Sequence, residues 1–409
     1  MPGICHITDS FYPEQGGVER VVENLALEQV ARGHVVTVMS KQVEGRPARE
    51  RYRGIEVYRY PKAMRPTPWV YVTSWSGSAK TFRRICREQP VAVVHCHLTL
   101  SAQGALCVAK EKRLPVLASF YGPWHKEFEA EIETLRRARG ALYGLYLDGQ
   151  SLAQRRMQSR LLRMADRVVA LSDHSEHEAT ALYPGLAEKY RKVPGGVETA
   201  RFASGRPQYD LRKQFGIGKD RFVVFSLRRL IYRMGLDLLL EAVARLVAQK
   251  RKLVLVIGGR GPQRQELETL AAQLNISDCV RFAGFIADDN LPDAYRSADL
   301  VVVPTRAEEN FGLPVLEAAA CGTPVITTPS GSLAEVTGGI DPALLTDGIS
   351  VDALVEKIAW AMDHADQLCR EFASHSKAIA QRYSWSRIAD EIEREYRTMG
   401  GAGEWGRDR

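Results

Sequence analysis

Two carboxylates eight residues apart, Glu309 and Glu317, bracket a Phe-Gly-Leu-Pro turn in the stretch ENFGLPVLE, directly after the apolar run LVVVPT. A glycine and a proline there start a helix. Gly312 permits the turn, and Pro314 falls where no amide donor is needed. The amides of Phe311, Gly312 and Leu313 then point out of the helix start, where an anion can be held. Glu309 stands on the loop lip and Glu317 about one turn inside the helix. These acids accept hydrogen bonds from neutral hydroxyls but repel phosphate. Amides for a diphosphate and acids for sugar hydroxyls are what a nucleotide-sugar asks for. The plainer reading is that both acids merely offset the helix dipole.

Other stretches carry weaker signals. PEQGGVER (13–20) follows the first apolar run and opens a helix, so Gly16 and Gly17 let the backbone approach a ligand closely. A plain tight turn explains them equally. SLRRLIYRMG (226–235) places Arg228, Arg229 and Arg233 in one loop, where planar guanidinium forks suit phosphate oxygens. A solvated basic loop is the plainer account. IGGRGPQ (257–263) has Gly258, Gly259 and Gly261, with Pro262 in the first turn of a helix. It is no dinucleotide fingerprint, because Arg264 stands where the third glycine belongs; Gly259 is still a donor-binding candidate. In VAVVHCH, His95 and His97 share one strand face, but the sequence shows no third ligand for a metal pair. His174 and His177 read as surface residues of a helix start. Asp288-Asp289 lacks a partner for a metal, so none is expected.

These residues need rigid elements to position them. Strand candidates at 3–8, 35–40, 55–60, 91–95, 115–120 and 167–171 alternate with helical patterns such as VERVVENLALEQVARG, which Gly33 stops. Strand-helix-strand runs argue a parallel sheet covered on both faces. The pattern breaks in PGGVETARFASGRPQY (194–209) and restarts with strands at 221–227, 253–258, 279–285, 300–304 and 324–328. Two α/β domains follow, 1–198 and 199–383, with a flexible tail at 400–409. A last amphipathic helix, about 384–400, is expected to pack back on the first domain, although its periodicity alone does not decide this. The glycine loop and the two acids are expected to face each other across a cleft.

The gross composition excludes several classes. A chain of 409 residues is too long for one core. Its net charge of +7 is spread without a Lys/Arg block, which argues against nucleic acid. The mild cluster at 133–165 holds seven arginines against Glu133 and Asp148. It reads as a solvated helical face or as a peripheral contact with an anionic membrane. Seven cysteines without metal-type spacing read as reduced thiols of a cytosolic protein, with peripheral attachment at the inner membrane face as the further expectation. MPGICHITDSF has no basic region and meets Asp9, unlike a signal peptide. The uncharged run 91–109 is broken by polar residues and divides into a strand and a helix beginning near Ser101, so no transmembrane segment is expected.

With these residues set out, ENFGLPVLEAAACGTPVI resembles the E-x7-E segment of the retaining GT-B glycosyltransferases of family 4, glycosyl transferases group 1. The resemblance covers nearly the whole chain: GGVERVVENLALEQVARGHVVTV, KVPGGVETARF, RRLIYRMGLDLLLEA, VRFAGFI, DAYRSADLVVVP and YSW all take part. It implies two Rossmann-like domains and a sugar transferred with retention from a nucleotide-sugar to a hydroxyl acceptor, without cofactor or essential metal. Acceptors of cell-envelope glycan, lipid-linked sugar or aminocyclitol type all fit. The resemblance further implies that Gly16 and Gly17 border the donor diphosphate and that Arg229 binds its phosphates. Glu309 would contact the donor sugar, Phe311 and Gly312 would offer amides, and Glu317 would hold the ribose. His97 matches the family's histidine near the transferred sugar. Two departures stand out. Met234 replaces a usual lysine, leaving Arg233 and Arg228 as the cations within reach to compensate, and Tyr121 stands where many members have histidine. The alternatives are a sugar-nucleotide epimerase or hydrolase of the same fold, and a binding protein with a dead site.

Overall fold

Short runs of β-branched residues bury both faces when strands lie parallel and helices cover them. In the computed structural model, which describes residues 2–14, 16–61, 69–129, 141–307 and 309–400, every residue of β1 (Gly3–Ile7) and β6 (Val116–Phe120) is buried. The same sheet holds β2 (Val35–Lys41), β3 (Arg49–Tyr52), β4 (Ile55–Tyr60), β5 (Val93–Cys96), β7 (Arg167–Ala170) and β8 (Tyr190–Lys192). Its order is β3-β4-β2-β1-β5-β6-β7-β8, parallel except at the β3–β4 pair. β3 (RERY) and β8 (YRK) are absent from the sequence expectation because they are short and charged. Such residues blunt a sheet edge against further pairing.

The second sheet orders β11 (Val280–Gly284), β10 (Leu253–Gly258), β9 (Phe222–Leu227), β12 (Leu300–Val303) and β13 (Val325–Thr327), all parallel. The chain accordingly divides into two units, Met1–Gly195 with Trp385–Arg409, and Gly196–Ser384. The division falls a few residues from the expected 198/199 boundary, inside the Pro/Gly-rich stretch. The tail from 401 onward lies outside the described residues.

The last helix, Trp385–Met399, belongs to the first unit. Arg32 closes the first helix, α1 (Gly17–Ala31), and its Nη1 donates to Asp390 Oδ1 at 2.7 Å. Tyr396 meets His95 at 2.7 Å. The run 91–109 resolves into β5 and α3, which spans Thr99–Glu111. Among the described residues no helix is long and apolar enough to cross a membrane.

Each sheet reverses strand order at its first strand. β1 lies between β2 and β5, and β9 between β10 and β12. The crevices beyond the carboxyl ends of these pairs are where open α/β sheets bind ligands. β1–β5 delivers Thr8, Asp9 and His97, while β9–β12 delivers Arg228, Arg229 and Thr305.

Candidate functional site

In the second unit, three βα loops meet at the β9–β12 crevice because glycines let their backbones touch. Gly259 has φ +119, and a Cβ there would lie 1.9 Å from Arg228 O. Gly235, at φ +68, would meet Pro304 O at 1.9 Å. Gly259 therefore serves loop packing whatever else it does. Pro262 is not in the first turn of the following helix, which begins at Arg264 after Gln263.

Arg228 is buried at the carboxyl end of β9. Its Nη2 donates to Thr305 Oγ1 at 2.7 Å, forms an ion pair with Glu309 Oε2, and lies 2.8 Å from Met234 Sδ. Thr305 donates in turn to Glu309 Oε2 at 3.1 Å. The Glu309 backbone is pinned as well, since Ser332 N donates to its carbonyl at 2.9 Å. Gly312, at φ +84, caps the helix Leu313–Ala320, with Pro314 in its first turn. The amides of Phe311, Gly312 and Leu313 donate to no acceptor among the described residues. Cation, carboxylate and amide donors thus converge on one loop, the residue set an anionic, hydroxyl-bearing ligand needs.

Glu317 is buried one turn in, and Tyr295 donates to its Oε2 at 2.9 Å. Arg229 is exposed and Arg233 half-buried. Arg228, not Arg233, is therefore the cation found against the Met234 side chain. Thr305 escaped notice in the sequence: a threonine at a strand end has no signal until the strand beside it is known.

In the first unit, α1 starts at Gly17 with Gly16 as its cap. A Cβ on Gly17 would meet nothing within 4 Å, so packing does not demand a glycine there. Next to β1, His95 of β5 and His97, just beyond its end, join His6, which pairs with His95 in register. His6 is the third histidine that spacing within one strand could not reveal. The three rings bring ligand-type nitrogens within 4.8 Å of one another.

Every ring nitrogen of the three is already engaged. His6 Nδ1 meets His97 Nε2 at 2.9 Å, and His6 Nε2 meets Gln29 Oε1 at 2.7 Å. His97 Nδ1 meets Tyr121 OH at 2.8 Å, while His95 bonds Tyr396 and Ser119. Because Gln29 Oε1 only accepts, the chain has one direction. Tyr121 donates to His97, His97 to His6, and His6 to Gln29. Burial holds His6 neutral, lowering it from 6.5 to about 4, and pushes His95 and His97 well below the ordinary range. His97 is 2% exposed, so the half-buried Tyr121 is the member of this chain nearest solvent. Glu19, in the first turn of α1, is close enough to raise the Tyr121 phenol further above the level burial sets. The glycine loop and the histidine chain therefore share one crevice. Asp9 caps α3, accepting from the Ser101 amide at 2.7 Å. His174 and His177 are exposed on their helix.

Residues 208–379 match the model for glycosyl transferases group 1, and residues 15–201 match that for glycosyltransferase family 4. A GDP-mannose-dependent alpha-(1-6)-phosphatidylinositol monomannoside mannosyltransferase of Mycolicibacterium smegmatis is 30% identical over 86% of this chain and 87% of its own. The chain belongs to glycosyltransferase family 4. A D-inositol 3-phosphate glycosyltransferase of Corynebacterium jeikeium is 28% identical over 96% of this chain and 94% of its own. The sucrose-phosphate synthase of Thermosynechococcus elongatus superposes with a TM-score of 0.82 at 21% identity, covering 98% of this chain and 100% of that one. The fold of this glycosyltransferase is therefore GT-B. Family membership also removes the epimerase and hydrolase alternatives from favour. The Arg228–Met234 contact weakens the case for a dead site, which rested on a missing cation.

Proposed function

We propose that this glycosyltransferase moves a sugar from a nucleoside-diphosphate donor to an acceptor hydroxyl with retention and without an essential metal. The observation that carries the reading is the Arg228–Thr305–Glu309 cluster beside the amides of Phe311, Gly312 and Leu313. The amides and arginines, Arg229 included, hold the diphosphate. Glu309 takes sugar hydroxyls, and Glu317, oriented by Tyr295, takes the ribose. In the first unit, Gly16 and Gly17 leave room for the donor, and the neutral His97 fixes the Tyr121 hydroxyl against the sugar.

Held by Arg228 and Thr305, Glu309 is poorly placed as a nucleophile. Retention then follows from front-face attack. The acceptor oxygen bonds the anomeric carbon on the face that the leaving phosphate vacates, and a phosphate oxygen takes the acceptor proton. Fixed cations and amides stabilise the charge growing on that phosphate. Independence from metal rests on protein cations, Arg228 and Arg229, taking the place of a metal on the diphosphate.

The acceptor is a glycan, lipid-linked or small-molecule hydroxyl, and a lipid-linked one agrees with a peripheral membrane contact through the basic stretch 133–165, described from Ala141 onward. The test is a panel of nucleotide-sugars with these acceptors, with the product's anomeric configuration read by NMR in the presence and absence of EDTA. A retained configuration and EDTA-resistant turnover are expected. An inverted product, or activity that EDTA abolishes and Mg²⁺ restores, would overturn the reading.

A further inference from the structure

Exposed large apolar side chains are normally scattered singly. Here six of the nine among the described residues belong to two neighbouring helices of the first unit. Trp69 (69% exposed), Val72 (58%) and Trp75 (39%) stand on the first two turns of α2 (Trp69–Glu88). Leu145, Tyr146 and Leu152 stand on the first half of the helix Ala141–Met164. A spacing of three keeps Trp69, Val72 and Trp75 on one helical side, and a spacing of seven does the same for Leu145 and Leu152, with Tyr146 next to Leu145.

The two faces adjoin. Tyr71 lies close to Gln154 and Tyr146, while the Arg160 guanidinium stacks 4.4 Å from the Trp75 ring. Both helices pack against α3, and these side-chain contacts bring their apolar ends together. Their platform is rigid: Arg160 also donates to Gln103 Oε1 of α3 at 3.0 Å. At Gly104 a Cβ would lie 2.0 Å from Trp75 O, so α2 sits hard against α3.

Both helices turn from apolar to basic along the chain. α2 continues with Lys80, Arg83, Arg84 and Arg87, and the other helix with Arg155, Arg156 and Arg163, all exposed. The latter three form no ion pair among the described residues. Asp148 and Glu88 are the only acids in the two helices. Tryptophan, tyrosine and leucine bordered by arginine is the composition that settles at the headgroup level of an anionic bilayer.

We propose that this surface docks the enzyme on an anionic phospholipid membrane, with Trp69, Val72 and Leu145 entering the headgroup layer and Arg155 and Arg156 held by lipid phosphates. The proposal rests on the transferase reading only in that a lipid-linked acceptor would lie at such a surface. Its test needs no sugar donor, so the two can fail separately.

The full chain is sedimented with vesicles of phosphatidylcholine alone, or with about a third phosphatidylglycerol. At least about tenfold more protein should pellet with the anionic vesicles, less in high salt. Trp69→Ser with Val72→Ser, and separately Arg155→Glu with Arg156→Glu, should each remove most of that binding. Both pairs are exposed, and an unchanged melting temperature shows that each variant is folded. Wild-type protein staying in the supernatant, or both variants binding like wild type, overturns the proposal. So does a dimer, seen by sedimentation velocity, that the Trp69 variant dissolves, because the face would then belong to a second copy of this chain.

Discussion

At the scale of single residues, Glu309 and Arg228 neutralise one another in a partly buried pair, with Thr305 as the third member. Glu309→Gln keeps the shape but loses the charge that draws sugar hydroxyls. Turnover should fall about 10²-fold or more with nucleoside-diphosphate affinity little changed, as steady-state kinetics and calorimetric titration would read. Near-wild-type turnover would remove Glu309 from the site.

Arg228→Ala takes a donor from the diphosphate and strands the Glu309 charge. It should cost turnover about 10²–10³-fold, and stability as well. The discriminating variant is Arg228→Gly with Met234→Lys, which returns a cation to the loop from position 234. Partial rescue by the double variant, set against Arg228→Gly alone, is expected. An Arg233→Ala loss larger than that of Arg228→Ala would return the role to Arg233.

At the scale of elements, two glycines of the proposed site obey different demands. Gly259 is a packing glycine, with a carbonyl 1.9 Å from where its Cβ would be. Gly259→Ala should destabilise the second unit by more than about 1–3 kcal/mol in urea unfolding, and should loosen nucleotide binding by shifting Arg228. Gly17 has open space around it, within the first turn of α1. Gly17→Ala should leave stability unchanged or raise it by about 0.5–1 kcal/mol. Its turnover should nevertheless drop, because the methyl group enters space that the proposed donor uses. If Gly17→Ala is fully active, the glycine loop does not approach a ligand.

At the scale of the whole molecule, the histidine chain ties stability to pH. His6, His95 and His97 stay neutral when folded, with His6 at about 4 instead of 6.5. The unfolded chain binds protons that the folded one refuses, so stability is full above about pH 6.5 and falls as pH drops toward 4 and below. Each histidine contributes a slope of up to about 1.4 kcal/mol per pH unit. The melting temperature should decline over that window, and His6→Asn should flatten the slope by about one proton whatever its effect on absolute stability. A flat curve from pH 7 to 5 would show that the three rings titrate normally.

The alternation of apolar runs and helical periods, the break at 194–209, and the ENFGLPVLE turn are local patterns. Local sequence therefore determined the strands of both sheets, apart from the charged edges β3 and β8, and the helix that starts at Gly312. It also brought out Glu309, Arg228 and His97 as residues able to do chemistry. What it left open depends on residues far apart in the chain becoming neighbours. His6 meets His95 only because β1 pairs with β5, Thr305 meets Arg228 only because β12 lies beside β9, and Tyr396 reaches His95 from the far end of the chain. Strand order is set by which buried faces fit together, and no period of two or 3.6 residues encodes it. The exposed tryptophans of α2 follow the same logic, since an apolar face reads as core until the tertiary structure leaves it open.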